Sequence, residues 1–268
     1  MSGEMFFLSA ATLEPEAGQA VADLAQQVRA QLAQRPDGAD AALDLMLVFL
    51  SAHYTQQARY VIDDLRQTLA PKTILGCTAE GVIGSQQEIE ELPAITLVAA
   101  HLPGVEVRPF LLQTPDTDWS RLLLDSEEFQ RVVDANEQTR LFIVLGDPFS
   151  TPMDDVLEAF NSNFPGIPVS GGMASGALRP QGNALFCNDR MLHEGVVGVG
   201  LSGALDVDVI VSQGCRPIWR PFRVSTAHRN VIFNLEGRPP LTWIQELIPE
   251  LSEDDRFHRF FLTLANDQ

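Results

Sequence analysis

Two short glycine-bounded segments hold the side chains best suited to chemistry. Gly76-Cys77-Thr78-Ala79-Glu80-Gly81 offers a thiol, a hydroxyl and a carboxylate, and Gly171-Gly172-Met173-Ala174-Ser175-Gly176 offers a thioether and a hydroxyl in the same Gly-x-x-Ala-x-Gly frame. Small residues at the end of a strand let a ligand or a second backbone come close. Gly76, Cys77, Thr78, Glu80, Gly171, Gly172, Met173 and Ser175 therefore read as candidate ligand contacts. The second segment is poorer in reactive groups, which suits one ligand held unevenly between two walls. Two other strand ends, Leu50-Ser51-Ala52-His53 and Gly146-Asp147-Pro148-Phe149-Ser150, occupy matching places. Ser51, Asp147 and Ser150 join the candidates there, with helix capping as the blander reading. A last group, Ser212-Gln213-Gly214-Cys215-Arg216-Pro217, adds Cys215 and Arg216. The planar guanidinium of Arg216 fits a carboxylate, of a ligand or of the protein's own acids.

Catalysis is the weaker reading of these groups. Cys77 with His53 as base, or Ser51, would make a hydrolytic nucleophile, but a buried free cysteine ordinarily acts as a small hydrophobe. The chain has no Gly-x-Ser-x-Gly elbow, no His-Glu-x-x-His and no phosphate-binding Gly-x-x-x-x-Gly-Lys. The acidic pairs Glu127-Glu128 and Asp154-Asp155 diverge on helices and do not suggest a metal. Cys77, Cys187 and Cys215 show no Cys-x-x-Cys spacing, which argues against a disulfide framework or structural zinc and fits a reducing compartment. The expectation is a binding protein rather than an enzyme, with no catalytic residues, no metal and no obligatory cofactor.

Charge narrows the partners. The net charge is −18, from 36 acidic and 18 basic residues, which disfavours a nucleic-acid groove and an anionic membrane surface. Lys72 is the sole lysine. The amino-terminal apolar run Met5-Phe6-Phe7-Leu8 is too short for a secretory signal and lacks a basic flank. No apolar stretch approaches the ~18 residues of a membrane helix. A cytoplasmic protein is expected.

The elements that must position the candidates repeat along the chain. A helix over residues 14–34 shows a stripe of Val21, Leu24, Val28 and Leu32. Leu45 to Leu50 reads as a buried strand. A helix through Ala58, Val61, Ile62, Leu65 and Leu69 follows and is stopped by Pro71. Next come a strand at Thr73 to Leu75, the first glycine segment as a loop, and strands at 94–100 and 105–110 joined as a hairpin at Pro103-Gly104. The order recurs: strand 141–145, helix face Met153, Val156, Leu157 and Phe160, strand 167–169, the second glycine segment, and a hairpin of 196–201 with 205–211. Landmarks at nearly equal spacing favour an internal duplication. The fold class is α/β: an internally duplicated β-α-β-β-β unit, repeats near 43–110 and 139–215, forming a layered mixed-sheet sandwich with flanking helices.

The glycine segments, Gly146-Asp147-Pro148-Phe149-Ser150, Phe164-Pro165-Gly166 and Ser212 to Pro217, in this order and spacing, resemble the amino-terminal part of FIST-domain proteins over about residues 5–228. Residues 229–268 resemble only the beginning of the family's carboxy-terminal half, through Asn230-Val231-Ile232-Phe233 and Glu236-Gly237-Arg238-Pro239. The resemblance implies a sensory module in signal transduction that binds a small, amino-acid-like ligand and acts through a signalling partner. Two alternatives stand beside this reading. One, implied by the resemblance, is a haem-based nitric oxide sensor, for which the candidate ligands are His53, His101, His193, Cys77 and Cys215, with His193 the best of them. The other is an interaction scaffold using Phe257, Phe260, Phe261 and Leu262.

Overall fold

The structure is a computed structural model describing residues 4–36, 38, 41–84, 87–112, 118–210, 220–228 and 231–247. The chain divides into two compact units, 1–209 and 210–268. Strands Val224–His228 and Val231–Leu235 of the smaller unit pair as one hairpin, His228 opposite Val231.

In the larger unit, β1 (Phe6–Thr12) leads to α1 (Ala17–Ala33), which is capped by Glu16 accepting from the Gly18 and Gln19 amides. The predicted stripe is real: Val21, Leu24 and Val28 are buried. β2 (Leu45–Ser51) is followed by α2 (Ala58–Leu69), β3 (Thr73–Ala79), the small hairpin β4 (Gly81–Gly84) and β5 (Gln87–Glu90), and β6 (Ile95–His101). α2 stops where Ala70 turns left-handed (φ 48°) ahead of Pro71. The chain then builds β7 (Val105–Leu111), α3 (Trp119–Leu124), α4 (Ser126–Val133), β8 (Thr139–Gly146), α5 (Met153–Asn163), β9 (Val169–Met173), the hairpin β10 (Leu185–Cys187) and β11 (Arg190–Leu192), and β12 (Val196–Gly203).

These strands form two main sheets, β1-β6-β2-β3-β10-β11 and β7-β12-β8-β9. The pairing senses match strand for strand. β1–β6 and β6–β2 are antiparallel with β2–β3 parallel; β7–β12 and β12–β8 are antiparallel with β8–β9 parallel. The likeness extends to one glycine. A Cβ on Gly76 would lie 1.9 Å from the Val48 carbonyl oxygen, and one on Gly171 would lie 1.8 Å from that of Val144, its register partner in the other sheet.

Strand alternation makes four layers. Met46, Val48 and Leu50 of β2 pack with α1 and α2, whereas Leu45 and Leu47 face the other sheet. Phe142 and Val144 of β8 pack against Phe129 and Phe160 of α4 and α5, and Leu145 faces inward with Val197, Val199 and Leu201. The α/β sandwich with flanking helices is thus as expected. Three local expectations fail. Pro103-Gly104 does not close a hairpin, because β6 and β7 lie in different sheets. Residues 205–210 form no strand, and residue 211 lies outside the described set. The glycine segments are not loops, since β3 runs through Gly76, Cys77 and Thr78 and β9 through Gly171, Gly172 and Met173.

The smaller unit contains the hairpin of β13 (Val224–His228) and β14 (Val231–Leu235), followed by α6 (Pro240–Leu247). Its polar face is cross-linked. Arg220 grips Glu236 with two bonds of 2.8 Å, Arg238 pairs with Glu246, and the Arg238 guanidinium lies 4.3 Å from the centre of the Trp243 ring. The Trp243 indole N–H donates to the Leu235 carbonyl at 2.9 Å.

Candidate functional site

The carboxyl ends of the parallel pairs β2–β3 and β8–β9 are where an α/β sheet ordinarily holds a ligand. The two ends meet. The Ser175 amide donates to the Thr78 carbonyl at 3.2 Å, and the Glu80 amide donates to Ser175 Oγ at 3.0 Å. A Cβ on Gly176 would strike Thr78 Cβ at 2.8 Å, so this glycine exists for close approach.

Residues 183–184 tie the meeting point together. Thr78 and Ala184 exchange bonds, the Thr78 amide donating to the Ala184 carbonyl at 2.9 Å and the Ala184 amide to Thr78 Oγ1 at 3.0 Å. Asn183 Nδ2 donates to Asp147 Oδ1 at 3.0 Å. The fully buried Asp147 also accepts from Ser150 Oγ at 2.8 Å and the Phe149 amide at 3.1 Å, and Ser150 Oγ accepts from the Gly195 amide at 2.8 Å. Five candidates, Thr78, Glu80, Asp147, Ser150 and Ser175, therefore share one hydrogen-bonded network. Helix capping is not the role of Asp147 or Ser150: the residue before α5 is Pro152, and no side chain caps it. Asn183 and Ala184 carry no signal in the sequence.

The other described candidates lie apart. Ser51 is buried, and its Oγ accepts the Ala94 amide at 2.9 Å with His53 Nδ1 at 3.4 Å. Gly76 is interior to the first sheet. Cys77 faces the inter-sheet core, where burial pushes its thiol up to about 12. Gly171, Gly172 and Met173 line the exposed edge of the second sheet. Cys215 and Arg216, with Phe257, Phe260, Phe261 and Leu262, lie outside the described residues. His193 is exposed, its Nδ1 2.7 Å from the Asn183 carbonyl, rather than set in the apolar pocket an axial haem ligand occupies. His101 Nδ1 is 2.8 Å from the Ala42 carbonyl.

A concavity missed in the sequence opens between the two sheets. It has a volume of about 250 Å³ and is walled by Leu45, Leu47, Val98, Leu141, Ile143 and Leu201, among others, with Asp206 and Asp208 at its lining. Both carboxylate-bearing residues are exposed. Among the described residues, none of the sequence-derived ligand candidates lines it, because their glycines built strands instead of a cleft. Among the described residues no group of three or more His, Cys, Asp or Glu is arranged to hold a metal ion, and no helix is long and apolar enough to cross a membrane.

Residues 44–238 match the family described as the FIST N domain. The chain is 35% identical over 242 residues to the uncharacterized proteins Mb0898c of Mycobacterium bovis and MT0897 and Rv0628c of Mycobacterium tuberculosis, a match covering 90% of this chain and 59% of each relative. The chain thus spans about three fifths of the length of these curated relatives. With its family match lying across the paired sheets and the network that joins them, the chain belongs to the FIST family.

Proposed function

We propose that this chain is a small-ligand-binding sensory module of a signalling system, and that its ligand seat is the groove between the two sheets. Family membership supports the sensory role. The observation that carries the ligand seat is the groove itself, an apolar concavity of about 250 Å³ with Asp206 and Asp208 beside it. Such a site suits a compact molecule with an apolar body and a positively charged group, as in an amino acid with an apolar side chain. The chemistry of the nucleophile candidates speaks for binding rather than turnover. Burial holds the Cys77 and Cys187 thiols up at about 12 and about 11, so neither is a thiolate near neutrality. Ser51 is 1% exposed, leaving no approach for a substrate.

The test is a ligand-observed NMR and thermal-shift panel of amino acids and related amines, run on the wild type and on Ile143→Trp, which fills the groove. Binding by apolar amino acids that disappears in the filled variant is the expected result. A folded wild-type protein that binds nothing in the panel, or a ligand retained by Ile143→Trp, refutes the placement.

A further inference from the structure

β3 and β9 hold the same place in their sheets, yet their outer edges differ. On β3 the main-chain groups of Ile74, Gly76 and Thr78 turn away from β2. The Asn188 amide donates to the Ile74 carbonyl at 2.9 Å, the Thr78 amide donates to the Ala184 carbonyl at 2.9 Å, and Phe186 of the antiparallel β10 lies opposite Gly76. On β9 the corresponding residues are Val169, Gly171 and Met173. Their direction follows from their neighbours: the Pro168 carbonyl accepts from Phe142 and the Ala174 amide donates to Gly146, so alternate residues point away from β8. No described strand pairs with that edge, and Ser170, Gly171, Gly172 and Met173 are exposed.

Natural sheet edges are usually protected by charge, bulges or covering elements. From Phe164 to Leu178 there is no charged residue. α5, packed on this sheet in the same cluster as Val169, carries exposed Asp154, Asp155 and Glu158. None of the three makes an ion pair among the described residues.

We propose that the outer edge of β9 is an interaction surface that receives one extended, antiparallel strand of a basic partner polypeptide, as β3 receives β10. Main-chain bonds to Val169, Gly171 and Met173 supply the attachment. Gly171 and Gly172 leave room for a bulky side chain, as Gly76 does for Phe186. The acids of α5 select Lys or Arg on the incoming segment. They also repel a second copy, which carries the same acids and a net charge of −18. This surface is separate from the groove and does not depend on the ligand reading.

The experiment uses the full chain and two synthetic peptides of about nine alternating valines and arginines, the second N-methylated on every peptide nitrogen so that neither of its edges can donate. The charge is identical, but only the first can pair along an edge. Binding is read by fluorescence polarisation, and amide hydrogen exchange locates it. The expected result is slowed exchange at Gly171 and Met173 with the first peptide and roughly tenfold weaker binding of the second, the loss of a few main-chain bonds. Met173→Pro removes one outward N–H without touching a bond to β8, and it should weaken the first peptide while leaving Tm nearly unchanged. If that variant fails to fold, the methylation comparison still decides. Equal affinity for the two peptides, absent binding, or unchanged exchange at Gly171 and Met173 overturns the proposal. So does slow exchange at those amides in the free chain, which would mean that its own residues or a second copy already cover the edge.

Discussion

Replacing Gly76 by alanine puts a methyl carbon 1.9 Å from the Val48 carbonyl oxygen and 3.2 Å from Phe186 Cδ2. β3 is paired to β2 on one side and β10 on the other, so it has no free direction of movement. Relief requires the strands to part by roughly 1 Å or more, which weakens two or three ladder bonds at about 1 kcal/mol each and adds an overpacking cost of about 1–3 kcal/mol. We predict a loss of about 4 kcal/mol, a large fraction of the stability of an ordinary domain, and a fall in Tm of about 10 °C. Gly171→Ala makes the same local clash, 1.8 Å from the Val144 oxygen, from a backbone with φ +151°. β9, however, is an edge strand that can swing outward, and its cost should be about 2 kcal/mol. Urea unfolding followed by amide exchange at β2 and β3 reports the larger unit alone. Equal costs for the two variants, or a Gly76→Ala loss below about 1 kcal/mol, would refute the reasoning.

Other changes test the polar joints. Asp147→Ala strips the acceptor from Ser150, Phe149 and Asn183 in a fully buried place and should cost about 3 kcal/mol in chemical denaturation, more than Ser150→Ala. Asp44, largely buried, accepts the Leu102 amide at 2.6 Å and Lys72 Nζ at 2.7 Å. Asp44→Ala should therefore cost about 2 kcal/mol, and Lys72→Ala, whose side chain is 67% exposed, less than about 1 kcal/mol. The thiols of Cys77 and Cys187 sit at about 12 and about 11 against an ordinary 9.0, both raised by burial. Above pH 9 the unfolded chain loses these protons while the folded chain keeps them. Stability should accordingly fall from pH 9 through 11 and 12, and replacing both cysteines by alanine should flatten that fall even if it lowers stability overall.

The elements were largely legible, because Val21, Leu24 and Val28, or the run Leu45 to Leu50, carry periodicity that local physics enforces. Strand partners were less so. Gly104 takes φ +79°, as a hairpin turn would, but the chain leaving it enters the other sheet. A turn has the same chemistry in either case. The first glycine segment misled for a related reason: burial on both faces holds Gly76 and Cys77 in a strand that their composition alone does not favour. Asn183 was invisible because its partner Asp147 lies 36 residues away and nothing in a single sequence joins them. The inter-sheet groove was missed because it is made of ordinary core residues that become a wall only when two sheets splay.

The hairpin β10–β11 belongs by sequence to the later part of the larger unit, but it completes the earlier sheet, Cys187 pairing with Leu75. On the ribosome, β2 and β3 therefore emerge long before the strand that seals them. At about 5–20 residues per second the nascent chain waits several seconds with an open sheet. Slow synthesis through residues 80–190 would prolong that exposure, and a chaperone that shelters β3 during this interval would raise the yield of native protein without altering the finished fold.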